Sequence, residues 1–595
     1  MITRVGFKKH LTQKFIIKMR KYIFSKLTLA VSLLTLIGYS CKEDFLTVLP
    51  TGAIAKSQLT TKKGLEGALI SAYGQMSGYG TRMVHPNNWV WGSIRGGDAN
   101  KGTDPGDFSD INPIQRFEYL STQGVMNDNY RGLYEGVARA NNVLGLLKDA
   151  QADVTADDKK RLEAEAKFLR AHFYFSLKRN YNNTPYVDET VDVGSGIEKI
   201  KNDADLWPKI EADFKVAYDN LPATQGQAGR ANKWAAGSYL AKVYMAQKKY
   251  AEAKTLLDAV IANGVTTNGK KYALVPSFPD LFKASNDNNS ESIFAVQAAA
   301  NTGSVNNANA DGDLNWPYNT GPNGPGNCCG FFQPSFELGN SYRTKDGLPL
   351  LDGSYNTPAN AVKTDMGIQS SAAFTPDAGE LDPRIDHTIG RRGIMFLDWQ
   401  KHPGFDWIRN QPNGGPYSPK KYSYYKSDKG ALQDNSSWTP GYTALNVTII
   451  RFADVLLMAA ECEVEIGSLE KAREYVNMIR NRAANPASFV TQDGGLAAKY
   501  VIKPYSTAWT DKNVARTAVR FERKLELAME GHRFFDLVRW GDDVTAINAY
   551  LKYESQFLPN TLGGAVYQAK HAILPIPQAQ IDLTGADILK QNPGY

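Results

Sequence analysis

Between Arg451 and Ala484 apolar side chains return every three or four residues: Phe452, Val455, Leu456, Ala459, Cys462 and Ile466, then Leu469, Ala472, Tyr475, Val476, Ile479 and Ala483. This spacing puts each set on one face of a helix, so the segment reads as two helices joined by a short turn. Gly467 suits a left-handed C-terminal cap, and Ser468 suits the N-cap of the second helix. An antiparallel pair of about 34 residues leaves an apolar face that only a neighbouring pair can bury, which commits the chain to a stack of such units.

A second pair lies at Trp234–Val260, where Leu240-Ala241, Tyr244, Tyr250 and Ala253 repeat the large and small spacing of a tetratricopeptide unit. Further helices are predicted over 129–149, 158–180 and 203–220, the last opened by Asp203 or Asp205 and closed by Leu221-Pro222. The expected fold class is mainly α: a right-handed, tetratricopeptide-like scaffold of helical pairs carrying a long loop-rich region. Helical repeats are expected over about 61–262 and 446–540, with a loop-rich insertion at about 263–445 and a C-terminal segment at 541–595, the whole of 61–595 forming a single domain.

The N-terminus carries an address. Arg20, Lys21 and Lys26 precede an apolar run from Leu27 to Ile37, followed by Gly38, Tyr39, Ser40 and Cys41. That run is too short for the roughly 20 residues that span a bilayer, so residues 1–40 read as a secretion signal, with Met19 as an alternative start. The ending resembles a bacterial lipobox, which implies cleavage and acylation at Cys41 and a lipidated tether over 41–60. Lys42-Glu43-Asp44 resembles the surface-export signal of Bacteroidetes-type lipoproteins. Removing the leader removes eight of 68 basic residues and no acidic ones, leaving 60 against 61 and a net charge of −1. A nucleic-acid-binding protein is not expected. With Cys41 lipidated, Cys328, Cys329 and Cys462 remain, too few for a disulfide framework or a Cys-x-x-Cys zinc site.

From Arg520 the chain reads Arg-Phe-Glu-Arg-Lys-Leu-Glu-Leu-Ala-Met-Glu-Gly-His-Arg-Phe-Phe-Asp-Leu-Val-Arg-Trp-Gly541, and it ends Leu574-Pro-Ile-Pro-Gln578 and Gln591-Asn-Pro-Gly-Tyr595. These segments resemble signatures of the SusD/RagB family of outer-membrane nutrient-binding lipoproteins. Glu165 to Phe175, Glu291-Ser-Ile-Phe294, Leu381-Asp-Pro-Arg384 and Arg451 to Leu457 extend the resemblance over the mature chain. It implies four tetratricopeptide-like helix pairs, a variable ligand-binding region, and docking as a lid on a SusC-like TonB-dependent transporter. Glu522, Arg523, Glu526, Glu530, Arg533, Asp536 and Arg539 are read as structural ion pairs along one helix face, not a catalytic set. His532 is read as a packed or capping residue, since none of the seven histidines has metal-ligand spacing.

A glycan presents hydroxyls and apolar ring faces, so its site needs aromatic platforms with a few amides or carboxylates. Trp89, Trp91, Asp98 and Asn100 in one loop, Trp316 and Tyr318 in another, and Trp399 and Trp407 with Phe396 and Phe405 in a third supply both. The alternative for each tryptophan is a core position. Trp207, Trp234 and Trp540 lie in helical or signature segments and are assigned to the core. Adjacent Cys328 and Cys329 either form a vicinal disulfide beside Trp316 or stay as two thiols. Asp311-Gly-Asp313-Leu-Asn315 begins like a calcium loop, but Trp316 stands where an EF-hand needs Gly and no twelfth-position Glu follows, so calcium is weakly signalled and no cofactor is expected. The expected function is a non-enzymatic surface lipoprotein that captures oligosaccharides or polysaccharides for a transporter. The alternatives are peptide binding in the same system and a glycoside hydrolase, whose two carboxylates need no sequence motif.

Overall fold

In the computed structural model, the described residues are 18–22, 55–78, 82–192, 194, 196–309, 315–436 and 439–595. Cys41 and the calcium-like Asp311 and Asp313 lie outside them. Met1–Leu59 and Thr60–Tyr595 form separate units. In the first, the described residues make short helical stretches at 18–22 and Lys56–Leu59.

In the second unit, eleven helices of eight or more residues are present among the described residues. They are α1 (Lys62–Gln75), α2 (Gly124–Leu147), α3 (Ala156–Tyr181), α4 (Trp207–Asn220), α5 (Lys233–Ala246), α6 (Tyr250–Asn263), α7 (Phe452–Ile466), α8 (Leu469–Ala483), α9 (Lys512–Glu526), α10 (Arg533–Trp540) and α11 (Asp543–Glu554). From α1 to α9 each helix packs on the next, so the chain leaves the stack after α6 and rejoins it at α7 as though the intervening residues were one long loop. The strands of four or more residues are β1 (Ala99–Gly102), β2 (Ser292–Val296), β3 (Phe331–Pro334) and β4 (Val447–Arg451). They pair as two-stranded antiparallel ladders, β1 with β3 and β2 with β4. Because β4 runs straight into α7, its register with β2 (Val447 opposite Val296, Arg451 opposite Ser292) pins the loop-rich region to the scaffold.

Local chemistry explains the helix limits. Thr155 and Asp158 form a reciprocal capping box that opens α3. Asp205 accepts a hydrogen bond from the Trp207 amide at the start of α4, and Leu221 ends that helix. Ser468 caps α8 through the Lys471 amide. Gly467 departs from expectation: its φ of −127° is not left-handed, and a Cβ there would lie 1.9 Å from Glu463 Oε2. Glycine is needed for room, because Glu463 folds back to accept the Ser468 amide.

The scaffold core is aromatic. Phe168 of α3 meets Phe214 of α4, Tyr239 of α5 and Phe294 of β2 at centroid distances of 5.5, 5.4 and 4.8 Å. All four are buried, each contributing about 1.5–3 kcal/mol relative to an exposed ring. At Gly136 a Cβ would lie 2.4 Å from the Phe173 ring, so the missing side chain sets the close approach of α2 and α3.

The charged signature residues are structural, but they do not pair along one helix face. Glu522 meets Arg384 and Arg480, Glu526 meets Arg384, Arg451 and Arg482, Glu530 meets Arg451 and Lys421, and Arg523 meets Asp454. These buried contacts join segments far apart in sequence; Arg539–Asp536 is the helical i,i+3 pair among them. Of the tryptophans assigned to the core, Trp540 is buried, whereas Trp207 and Trp234 are partly exposed because α4 and α5 turn those edges outward. No helix among the described residues is long and apolar enough to cross a membrane.

Candidate functional site

The residues singled out in three loops do converge, but mostly as a foundation. Trp89 and Trp91 sit in a π-helical turn, Trp89–Ile94, that packs on α10. Trp89 is 2% exposed and set edge-on to Phe331 and Phe332, and Trp91 is 1% exposed and donates its indole N–H to the Met83 carbonyl at 2.7 Å. Trp316 is wedged between two glycines: a Cβ on Gly326 or Gly441 would lie 2.1 or 1.2 Å from its ring. Trp399 and Trp407 complete a buried cluster with Phe396 and Tyr424. Side chains this deep offer no ring face to a sugar, so the platform reading of these five tryptophans is corrected to a core role.

Asp98 and Asn100 are buried too. Asp98 accepts from the Met529 amide at 3.0 Å and from Ser93 Oγ, and burial pushes its carboxyl up to about 6. Asn100 accepts from Tyr550 Oη at 3.0 Å and donates to Glu554 Oε2 at 3.3 Å. Both lock β1 and its approach to the C-terminal helices.

Above this foundation Tyr318 is the predicted residue that keeps a partly exposed ring. Its amide donates to the Trp407 carbonyl at 2.9 Å, and the Arg409 guanidinium lies 5.6 Å from its ring centroid. Arg409 in turn pairs with Asp104 and Asp107 and donates to Thr103 Oγ1 at 2.9 Å. The side chains of Arg409, Asp104 and Asp107 are each about a third exposed, at 31%, 31% and 35%. The turn holding both carboxylates is braced from below by Lys101, fully buried, whose ammonium donates to the carbonyls of Asp104 and Asp107 at 3.0 and 2.7 Å. Burial lowers the Lys101 ammonium to about 8. Phe108, partly exposed, stands edge-on to Phe331 on the same rim.

Cys328 and Cys329 form a vicinal disulfide across a cis peptide, with Cα atoms 3.3 Å apart instead of the trans separation of about 3.8 Å. Trp316 donates its indole N–H to the Cys328 carbonyl. The Gly330 carbonyl accepts the Thr103 amide at 2.7 Å, which bonds the disulfide loop to the Asp104–Asp107 turn, and Tyr318 joins the same rim through its contact with Arg409. Arg409, Asp104, Asp107 and Phe108 were missed in the sequence. The turn-rich Thr103-Asp-Pro-Gly-Asp107 was the available signal for a surface loop. The rim offers aromatic edges, a guanidinium and two carboxylates at an open surface, a set that can donate to and accept from hydroxyls. Two clefts, of about 610 and 650 Å³, share no lining residue with this rim.

A family model described as "SusD family" matches residues 290–595, and one described as "Starch-binding associating with outer membrane" matches residues 106–245. The chain belongs to the SusD family. It is similar to SusD-like protein P2 of Formosa agariphila, 25% identical, with 97% of this chain and 100% of that protein covered. Among solved structures it resembles a laminarin-binding SusD-like protein (TM-score 0.63, 24% identity, 90% of this chain and 99% of that one). It also resembles surface glycan-binding protein A of Bacteroides thetaiotaomicron in complex with laminarihexaose (TM-score 0.62, 20% identity, 89% and 99%).

Proposed function

We propose that this protein is a non-enzymatic, cell-surface glycan-binding lipoprotein that captures oligosaccharides or polysaccharides and passes them to a SusC-like TonB-dependent transporter for nutrient uptake. The juxtaposition of Tyr318, Arg409, Asp104 and Asp107 on an exposed rim of a SusD scaffold supports it most directly. The partly exposed tyrosine stacks on an apolar sugar face, and the ionic triad hydrogen-bonds ring hydroxyls. The names of the laminarin-binding relative and of the laminarihexaose complex point to glycans as the ligand class. Acylation at Cys41 would hold the protein on the outer membrane facing outward, without a spanning helix.

The test is calorimetry on residues 42–595 with laminarin and a panel of plant, host and microbial glycans, with the same mixtures assayed for new reducing ends. Saturable binding without new ends supports capture. New ends that persist on purification would make the protein a hydrolase, and binding to peptides alone would replace the glycan reading. Co-purification of a large barrel protein from mild detergent tests the transporter partner.

A further inference from the structure

Where α3, α4, α5, α7, α9 and α10 meet, the scaffold forms a partly open cavity of about 350 Å³ that shares no residue with the rim around Tyr318. Its wall is cationic. Lys178, Arg179, Lys242, Lys248, Arg523 and Arg539 line it, and Asp536 is the one carboxylate among its lining residues.

Four of those cations are balanced by carboxylates: Lys178 by Asp205 (2.8 Å), Lys242 by Asp454 (2.7 Å), Arg523 by Asp454 and Asp536 (2.8 and 3.1 Å), and Arg539 by Glu461 and Asp536 (2.5 and 2.9 Å). Asp454 and Asp536 are each shared between two cations and reach Arg179 only at longer range. Arg179 and Lys248 have no carboxylate within 4.0 Å among the described residues. His532, which also lines the cavity, is held neutral by burial and the neighbouring Lys242 ammonium and answers none of the excess.

Arg179 is placed for recognition. Phe175 and Phe535 stand 4.2 and 4.0 Å from its guanidinium carbon, and its buried Nε makes no hydrogen bond. Rings on the guanidinium faces leave the planar fork of N–H groups as its way to be satisfied, and a fork of donors matches the two oxygens of a carboxylate or sulfate. A buried donor left unmade is costly, which favours an occupant that accepts from it. Lys248 is exposed, and Trp207 adds a partly exposed indole to the wall. The volume falls in the range of small-molecule sites, roughly 300–1,000 Å³.

We propose that this cavity is a second ligand site that binds an oxyanion, a carboxylate or sulfate group on a small molecule, with Arg179 as its seat and Lys248 as its outer cation. Titration calorimetry of the full mature chain with glucuronate, sulfate and phosphate, at ionic strength held constant with chloride, tests it. Saturable binding of at least one oxyanion is expected, weakened about tenfold or more in Arg179→Gln, as for loss of a charged hydrogen bond. Lys248→Gln, a change at an exposed residue that leaves the fold intact, is expected to weaken the same binding and provides the readout if Arg179→Gln fails to fold. The arms separate the sources: glucuronate alone indicates an acidic sugar, sulfate or phosphate an ester. No saturable binding of any of the three by the wild-type chain, or affinity unchanged in both variants, overturns the site.

Discussion

Arg451 Nε meets Glu530 Oε2 at 2.8 Å with 3% of each side chain exposed, tying the entry of α7 to the turn after α9. The same guanidinium reaches Glu291 beside β2 and Glu526 at the end of α9. Arg384, from the loop-rich region, adds Asp382, Glu522 and Glu526. One buried ionic hub therefore holds the insertion against the last helices of the stack.

Removing one partner from such a hub is more damaging than never having built it, because the remaining charges stay buried without a counter-ion. Arg451→Met is expected to lower unfolding free energy by about 3–5 kcal/mol. Lys215→Ala, which breaks an exposed i,i+4 pair with Asp219, should cost no more than about 0.5 kcal/mol. Urea titrations of both variants check this, and equal losses would show that the hub does not stabilise the fold.

Acid and base should destabilise the protein for different reasons. Burial alone would raise the Glu530 carboxyl, but Arg451 and Lys421 override it and hold it at about 2 against 4.5. That contribution is complete above 4.5 and is lost as pH falls toward 2. Glu554 is the opposite case: burial raises it to about 8 against the hydrogen bonds from the Glu337 amide and Asn100, which favour the charged form, so its contribution is complete below 4.5 and drains away as pH rises through 8. Glu554→Gln keeps the site neutral. It should flatten the decline in stability between pH 4.5 and about 8, by up to about 1.4 kcal/mol per pH unit, as read from urea midpoints across that range.

What the sequence disclosed follows from how local each signal is. The helices of the stack are legible because their apolar stripe repeats within a few residues, and Phe452 to Ile466 carries its own pattern. Exposure of a loop tryptophan is not local. Trp316 is buried because Gly326 and Gly441 leave room for it, and Trp89 because β3 places Phe331 and Phe332 against it. The rim was half visible: Tyr318 was found from its loop, whereas Arg409 meets Asp107 across 302 residues, a pairing that the linear pattern cannot show. The signature carboxylates were legible as structural, but their partners at Arg384, Arg451 and Arg482 lie on other elements.

That division between rim and foundation predicts two kinds of binding defect. Tyr318→Ala and Arg409→Ala should weaken glycan binding about tenfold each, near 1.4 kcal/mol, with the melting temperature nearly unchanged. Trp316→Ala should instead cost about 3–5 kcal/mol of stability, as for a large buried ring. Its binding loss should track the unfolded fraction and recover on cooling. Calorimetry paired with thermal melts distinguishes the two, and a Trp316→Ala protein that stays folded but fails to bind would return that ring to the ligand site.

Glycines offer the sharpest steric test of how the signature segment is docked. Gly92, in the turn that carries Trp89 and Trp91, lies against Gly531 so closely that a Cβ would be 1.9 Å from the Gly531 carbonyl oxygen. Backbone on both sides leaves no flexible side chain to yield, so Gly92→Ala must separate the turn from the start of α10 and disturb the Asp98 to Met529 hydrogen bond nearby. Gly67, in the middle of α1, has nothing within 4 Å of its would-be Cβ and an ordinary helical φ. There alanine removes only the entropic penalty of glycine, and Gly67→Ala should stabilise the fold by about 0.5–1 kcal/mol. The two substitutions add the same methyl group, so opposite shifts in the urea midpoint separate the steric clash at Gly92 from the backbone-entropy gain at Gly67. A Gly92→Ala variant as stable as wild type would mean that the turn is not seated against Gly531 in solution.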